Sequence, residues 1–249
     1  MINFDYARCS KCGTCVATCP VGVLTLDTNK QPVVLQERKN NCVACGHCEA
    51  VCPKNAVSVE GPQLQAAVQP KTKPVISPET LSDYFRSRRS IRKYKQEAVP
   101  RELLEKILDT VRYAPSGVNA QPVSWIVLHD TKQLEKVTEA VVKWMKGVIA
   151  ANHPTAEIFG FKNLVAGWEK GLDPICRHVP HMVVAYGHKD SRLAANSAVI
   201  ALTHLELLAP AYGLGACWAG YFSIAASQSP EVAKAIGIPD DHVHLNSIM

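Results

Sequence analysis

Residues 9–20 read CSKCGTCVATCP, and residues 42–53 read CVACGHCEAVCP. Both stretches follow the spacing Cys-x2-Cys-x2-Cys-x3-Cys-Pro, and they lie 33 residues apart in the chain. Eight of the ten cysteines of this 249-residue chain fall in these two runs. Three cysteines spaced by two residues can wrap a tight loop around one face of an inorganic cluster, while the Cys-Pro turn directs the fourth cysteine elsewhere. The repeated run therefore decides how the first quarter of the chain folds.

This double run resembles the ligand pattern of bacterial two-cluster ferredoxins, in which the fourth cysteine of each run binds the other cluster. The resemblance implies a small two-fold pseudo-symmetric domain that holds two [4Fe–4S] clusters. Its apolar core is small, so we expect the clusters to supply much of its stability. The implied ligand sets are crossed between the runs: Cys9, Cys12, Cys15 and Cys52 for one cluster, and Cys42, Cys45, Cys48 and Cys19 for the other.

Two other interpretations of the cysteines fit less well. A disulfide framework needs an oxidising compartment, and residues 1–5 lack the basic and apolar segments of a signal peptide. Zinc sites usually use paired Cys-x2-Cys units without a third step and a Cys-Pro turn. Cys176 lies near His178 and His181, but no second ligand pair is nearby, so we interpret it as part of a loop that enters a strand. Cys217 lies in an apolar run and is interpreted as a packed thiol.

The remainder of the chain predicts a larger second domain. Residues 1–60 form the cluster domain, the proline-containing residues 61–77 are a linker, and residues 78–249 form the second domain. Apolar periodicity predicts several helices alternating with strands, which indicates an α+β fold with a sheet flanked by helices. The first predicted helix begins near residue 78, and further helices are predicted at about 100–113, 131–151, 191–212 and 229–237. The predicted strands are 125–129, 182–186 and 216–222. Residues 152–180 are predicted to be irregular.

Two segments of this second domain have the composition of a ligand site. Residues 86–95 carry six basic side chains and no acidic one, and guanidinium groups offer forked donors to phosphate oxygens. A solvated basic face is the alternative, although Ile91 and Tyr94 indicate that the segment is docked. Residues 114–122 place amides and a hydroxyl on a turn, where they could bond the edge of a flat heterocycle, or could simply form a turn.

Together these segments resemble the FMN-dependent nitroreductase family. Its Arg-Arg-Ser-Ile-Arg opening, followed by an aromatic residue, corresponds to 88–92 and Tyr94. Its Pro-Ser-x-x-Asn-x-Gln-Pro loop corresponds to 115–122, and its Gly-Leu-Gly-x-Cys-Trp segment corresponds to 213–218. Three motifs in the same order make the resemblance specific. The whole chain resembles the subgroup that carries an N-terminal two-cluster ferredoxin domain.

The resemblance implies a homodimer with FMN at the subunit interface. Arg88, Arg89, Ser90 and Arg92 would hold the flavin phosphate. Backbone groups of Leu214 and Gly215 would contact the isoalloxazine ring. The partner subunit would supply the residues of the loop, namely Pro115, Ser116, Asn119 and Gln121. We expect no catalytic side chain, since flavin chemistry needs no covalent help from the protein.

The end of the chain is expected to depart from the family pattern. The family usually continues with a further strand and a tail that brings a basic residue to the phosphate. Here residues 247–249 end the sequence where that strand is expected to begin. Two explanations stay open: the phosphate site relies on residues 88–92 alone, or the chain is a truncated form.

Charge and hydropathy exclude other classes of function. The formal charge is +5, but two clusters at about −2 each and a flavin phosphate at about −2 would make the holo-protein slightly acidic. We therefore expect no nucleic-acid partner. No apolar run reaches the length of a membrane span. Oxygen-labile clusters and reduced thiols indicate a cytoplasmic protein.

The predicted function is an oxidoreductase that passes electrons between two [4Fe–4S] clusters and FMN to reduce a small organic acceptor of nitroaromatic or quinone type. No Gly-x-Gly-x-x-Gly follows a strand, so NAD(P)H, if used, would stack transiently on the flavin. A redox protein is the other candidate donor. The alternative is a non-catalytic electron-transfer or redox-sensing module whose flavin only stores electrons.

Overall fold

The computed structural model describes residues 1–60 and 75–249. These residues divide into two units, one made of Met1–Ser77 with Val118–Ala120, the other of Pro78–Gly117 with Gln121–Met249. Most of the predicted linker, residues 61–74, lies outside the described residues.

The first unit repeats one small motif around each cysteine run. Helix α1 (Thr14–Ala17) and helix α2 (His47–Ala50) follow Gly13 and Gly46, whose backbones both have a φ of 72° and a ψ of 0°. That left-handed conformation favours glycine, because a Cβ would be strained there. Each helix is followed along the chain by a strand that belongs to an antiparallel pair. The pairs are β1 (Ile2–Phe4) with β4 (Val57–Val59), and β2 (Leu24–Leu26) with β3 (Pro32–Val34).

The helices of the second unit largely follow the predicted periodicity. The described helices are α3 (Pro78–Ser87), α4 (Arg101–Val111), α5 (Thr131–Ala150), α6 (Pro154–Ile158), α7 (Phe161–Glu169), α8 (Ala194–Leu208), α9 (Gly220–Gln228) and α10 (Pro230–Ile236). Residues 152–180 were predicted to be irregular, but they contain α6 and α7. That prediction missed the role of Phe161 and Val165, which are buried as the apolar face of α7.

A three-stranded antiparallel sheet forms the centre of the second unit. Strand β6 (Met182–His188) lies between β5 (Ser124–Leu128) and β7 (His242–Ile248). The β6–β7 register shifts between Ala185 and Tyr186, which marks a bulge. Strand β7 corrects the expectation that a last strand only begins near residue 247. Six of its seven residues pair with β6, although polar residues alternate along it.

The predicted strand at residues 216–222 is also wrong. Trp218 forms a single antiparallel bridge with Ile248, and α9 begins two residues later at Gly220. Apolar residues run without a break through this part of the chain. A short, continuous apolar run does not distinguish a strand from a buried helix start.

Strand β6 separates two hydrophobic cores. Met182 and Val184 contribute to the core built by α5, α7 and α9, whereas Val183 and Ala185 contribute to the core built by α4 and α8. Successive side chains of a strand point to opposite faces, so a strand that is apolar at every position must be covered on both sides. Helices therefore cover both faces of the sheet. Within the described residues, no helix is both long and apolar enough to cross a membrane.

Two histidines fasten the segment before α4 to the sheet. The imidazoles of His129, just after β5, and His181, just before β6, stack at 4.1 Å between ring centroids and 11° between planes. The Val99 N–H donates to Nε2 of His181 at 2.8 Å, and Nε2 of His129 lies 2.9 Å from the Val99 carbonyl. Because its Nε2 accepts, His181 carries its proton on Nδ1, which donates to the His129 carbonyl.

We predict that acid weakens this attachment. Burial, followed by the charge of His129, holds the pKa of His181 below its ordinary value of 6.5. A lowered pKa means that the stabilisation is complete above the ordinary value and is lost as pH falls through the folded pKa. The free energy of unfolding should therefore drop more for the wild type than for His181→Gln between about pH 7.5 and pH 5. Denaturant unfolding at both pH values measures this, and equal drops would contradict the assignment.

Candidate functional site

Four cysteines of the first unit line one cavity. Cys42, Cys45 and Cys48 of the second run lie on its wall together with Cys19, the last cysteine of the first run. Apolar side chains close the rest of the cavity, among them Val23 and Val59. The structure therefore brings Cys19 to the other run's cysteines, as a crossed ligand arrangement requires.

Cys15 of the first run lies near enough to Cys52 of the second to feel its charge. Burial raises the pKa of the Cys15 thiol, and the charges of Cys12 and Cys52 raise it further. Burial likewise raises the pKa of Cys48 to about 11, with Cys45 and Cys42 adding to the effect. Thiolates are the form that binds iron, so these buried sulfurs need a bound cation to offset their charge.

Backbone amides contact two of the sulfurs. The N–H of Lys11 donates to Sγ of Cys9 at 3.4 Å, and the N–H of Ala56 donates to Sγ of Cys52 at 3.2 Å. Such bonds stabilise thiolate charge and tune cluster potentials. In the described part of the chain, no three His, Cys, Asp or Glu side chains converge on a position for a single metal ion.

In the basic segment of the second unit, residues 86–95, two arginines already bind partners within the protein. Nη1 of Arg88 lies 2.9 Å from Oε1 of Glu206 on α8. Nη1 of Arg89 donates to the backbone carbonyls of Arg86 and Arg88, at 2.7 and 2.8 Å. Ser90 is half-buried, and Arg92 is exposed to solvent. The backbone here is thus held in one shape while guanidinium groups remain on the surface.

The basic segment and the segment at residues 213–218 are in direct contact. The Ile91 N–H donates to the Ala216 carbonyl at 3.0 Å. A Cβ on Gly215 would lie 2.8 Å from Ile91 side-chain carbons, so only glycine fits there. The second oxygen of Glu206 accepts from Nε1 of Trp218 at 2.9 Å. Two motifs that lie far apart in sequence are therefore in direct contact. Leu214 is partly buried and packs against the neighbouring core.

The loop after α4 has an unusual backbone. Val118, Asn119 and Gln121 have positive φ angles of 47°, 54° and 45°. Non-glycine residues in this region carry a conformational cost, and such residues cluster at functional sites. The Gln121 N–H donates to Oγ of Ser116 at 2.9 Å, which closes the turn. Pro115 lies exposed at its start, and the Pro122 carbonyl lies so near Gly187 of β6 that a Cβ there would be only 2.9 Å away.

Glu206 is the site residue that the sequence interpretation missed. It lies in an otherwise apolar stretch of α8, and its neighbour Leu207 accepts a hydrogen bond from the Tyr84 hydroxyl through its carbonyl. Its carboxylate lies within an apolar face of the predicted helix. This position could have indicated a paired residue, because a buried acid needs a partner. Cys217 is buried, in agreement with its interpretation as a packed thiol, and Cys176, in the segment before β6, is buried as well.

Comparison with known proteins identifies both units. The model of the nitroreductase family matches residues 85–249, and the model of a 4Fe-4S dicluster domain matches residues 8–57. The family match covers more than half of the chain. The chain therefore belongs to the nitroreductase family, a family of oxidoreductases, and it carries an N-terminal domain of the 4Fe-4S dicluster type.

Individual relatives are more distant. A Methanothermobacter thermautotrophicus protein, provisionally named NADH dehydrogenase/NAD(P)H nitroreductase, is 28% identical over 149 residues, which cover 60% of this chain and 65% of that protein. An iodotyrosine deiodinase from Thermotoga neapolitana is 26% identical over 143 residues, covering 54% of this chain and 70% of that protein. The chain thus spans slightly less than two thirds of the first relative's length.

Solved structures support the fold. The crystal structure of a nitroreductase with bound FMN from Bacteroides fragilis gives a TM-score of 0.55 at 21% identity, covering 68% of this chain and 85% of that chain. A nitroreductase with bound FMN from Desulfitobacterium hafniense gives a TM-score of 0.54 at 21% identity, over 70% and 88% of the two chains. The predicted α+β nitroreductase-like fold is confirmed.

The contact between Gly215 and Ile91 gives a stability prediction. Gly215→Ala should cost about 1–3 kcal/mol of unfolding free energy, since the new methyl overlaps the Ile91 side chain. In an Ile91→Ala background the cost should fall, because two of the three close carbons are gone. Gly220→Ala is the control, since nothing lies within 4 Å of a Cβ there. Equal costs for Gly215→Ala in both backgrounds, measured by denaturant unfolding, would contradict the packing argument.

Proposed function

We propose that this protein is an oxidoreductase that passes electrons between two [4Fe–4S] clusters and FMN and reduces a small organic acceptor of nitroaromatic or quinone type. The observation that carries the proposal is the cavity in which Cys19 joins Cys42, Cys45 and Cys48, in the same chain as a nitroreductase-family domain. Bound clusters supply one-electron transfer, and bound FMN converts single electrons into two-electron reduction.

The cysteines fit two cubane clusters in crossed sets. Cys19 lines the cavity formed by the cysteines of the second run. The charge of Cys52 raises the pKa of the Cys15 thiol in the first run. The backbone donors to Cys9 and Cys52 would stabilise the added negative charge of a cluster. Each set would then contain three cysteines of one run and the last cysteine of the other.

The basic segment fits a flavin phosphate. Arg92 is exposed, Arg88 is partly exposed, and the segment is anchored through Ile91 to the Gly215–Ala216 backbone. A guanidinium group presents several N–H donors in a fixed plane, which suits the oxygens of a terminal phosphate. Arg88, Arg89, Ser90 and Arg92 would hold that phosphate. The backbone near Leu214 and Gly215 would approach the ring.

A homodimer is part of the proposal. Leu81 and Phe85 on α3 are 40% and 51% exposed, and Val199 and Ile200 on α8 are 47% and 37% exposed. Exposed apolar side chains on two helices are expected where a partner packs. The strained loop with Pro115, Ser116, Asn119 and Gln121 would complete the partner subunit's flavin site. Electrons would come from a redox protein through the clusters, or from NAD(P)H stacked transiently on the flavin, in a cytoplasmic setting.

The crossed ligand sets can be tested by asking which cluster signal is lost in each cysteine variant. Wild-type protein prepared without oxygen should contain about eight iron atoms per chain. Cys19→Ala and Cys45→Ala should remove the same cluster signal in electron paramagnetic resonance, whereas Cys52→Ala and Cys12→Ala should remove the other one. Cys217→Ala, a buried thiol outside both runs, should retain both signals. If Cys19→Ala instead matches Cys12→Ala, the sets are not crossed.

Repeated turnover of an acceptor distinguishes an enzyme from a non-catalytic module whose flavin only stores electrons. Reconstituted protein should reduce a nitroaromatic or quinone acceptor through many turnovers with NADH or a low-potential one-electron donor. Arg92→Ala should weaken FMN binding by about tenfold or more, because a charge-assisted bond contributes about 1.5–3 kcal/mol. At limiting FMN the activity should fall in parallel and recover at saturating FMN. A protein that accepts electrons but never turns over would favour the non-catalytic electron-transfer module.

A further inference from the structure

A single buried carboxylate joins the two segments of the proposed flavin site. Glu206 is only 8% exposed, and each of its oxygens has one partner: Arg88 at 2.9 Å and Trp218 at 2.9 Å. Arg88 belongs to the basic segment, and Trp218 ends the segment at residues 213–218. The carboxylate therefore fixes both segments relative to α8.

The geometry places Glu206 behind Arg88 as seen from solvent. The side chain of Arg88 is 40% exposed, whereas that of Glu206 is 10% exposed. Within residues 1–60 and 75–249, the Arg88 guanidinium donates a hydrogen bond to Glu206, and it does so through Nη1 alone. An arginine has five N–H donors, so most of its fork stays available to an anion on the solvent side.

The buried carboxylate of Glu206 is held by two donors. Burying a charge costs several kcal/mol unless partners compensate, and here a guanidinium and an indole N–H do so. Removing the charge of Glu206 would leave Arg88 with a flexible side chain and no anchor. A long side chain that must be ordered on binding loses rotamer entropy, which weakens the complex.

We propose that Glu206 is a positioning residue that pre-orients Arg88 for the FMN phosphate. The inference rests on the proposed FMN function and deepens it by adding a residue that does not touch the flavin. Two effects of the carboxylate oppose each other, since it orients Arg88 but also places a second negative charge near a phosphate. Its position behind the guanidinium, in single contact with Nη1, makes orientation the larger effect.

The test compares two flavins that differ only in the phosphate. FMN and riboflavin are titrated into flavin-free, cluster-loaded protein, and flavin fluorescence gives each dissociation constant. Glu206→Gln, which keeps the shape but removes the charge, also disturbs the bond to Trp218, so it should weaken FMN binding by about tenfold or more beyond any loss of riboflavin binding. In an Arg88→Ala background the same substitution should weaken the binding of the two flavins equally.

Two further variants keep the test decisive. Glu231→Gln makes the same substitution at an exposed site on α10 and should change neither constant. Glu206→Asp keeps the charge but withdraws it by one methylene, and should show the same selective loss of FMN binding if Glu206→Gln does not fold. FMN binding that stays equal or becomes tighter overturns the proposal, as does an equal loss for both flavins. Wild-type protein that does not prefer FMN over riboflavin would refute the proposed function instead.

Discussion

The double-sided burial of strand β6 is the constraint on which the second unit depends. Because Met182 and Val184 enter one core and Val183 and Ala185 the other, helices must cover both faces of the sheet. Strand β6 also pairs along its length with β5 and β7. The position of α8 follows from this arrangement, since its apolar face packs on β6. Glu206, Arg88 and Trp218 can meet because α8 is fixed there.

The site that we propose for FMN is therefore built from long-range contacts instead of from a single loop. Ile91 pairs with Ala216, Gly215 leaves space for Ile91, and Glu206 bonds Arg88. Each contact joins residues more than a hundred positions apart in sequence. The basic segment looks strongly charged when read as sequence, but one of its arginines is already paired within the protein. Its affinity for an anion must depend on how the remaining donors are arranged as well as on net charge.

The sequence was most informative where chemistry restricts spacing. The two cysteine runs predicted the first unit, since a cubane cluster tolerates few ligand spacings. The three nitroreductase motifs predicted the family, and periodicity placed the long helices correctly. Glu206 was missed because its partner Arg88 is distant in the chain, and pairings of this kind are invisible to local patterns. The strand proposed at residues 216–222 failed because an apolar run fits both a strand and a helix start. The start of strand β7 was predicted too late in the sequence, because its register is set by pairing with β6, a distant part of the chain.

In the function that we propose, electrons pass between the cysteine-bound clusters and the flavin of one protein. The direct measurement is anaerobic rapid mixing of the holo-protein with a low-potential redox-protein donor, with cluster and flavin absorbance followed together. We expect the flavin to be reduced after the clusters in the wild type, and its reduction to be many-fold slower in Cys45→Ala with FMN still bound. Flavin reduction at an unchanged rate in that variant would show that the clusters do not feed the flavin, and would contradict the account.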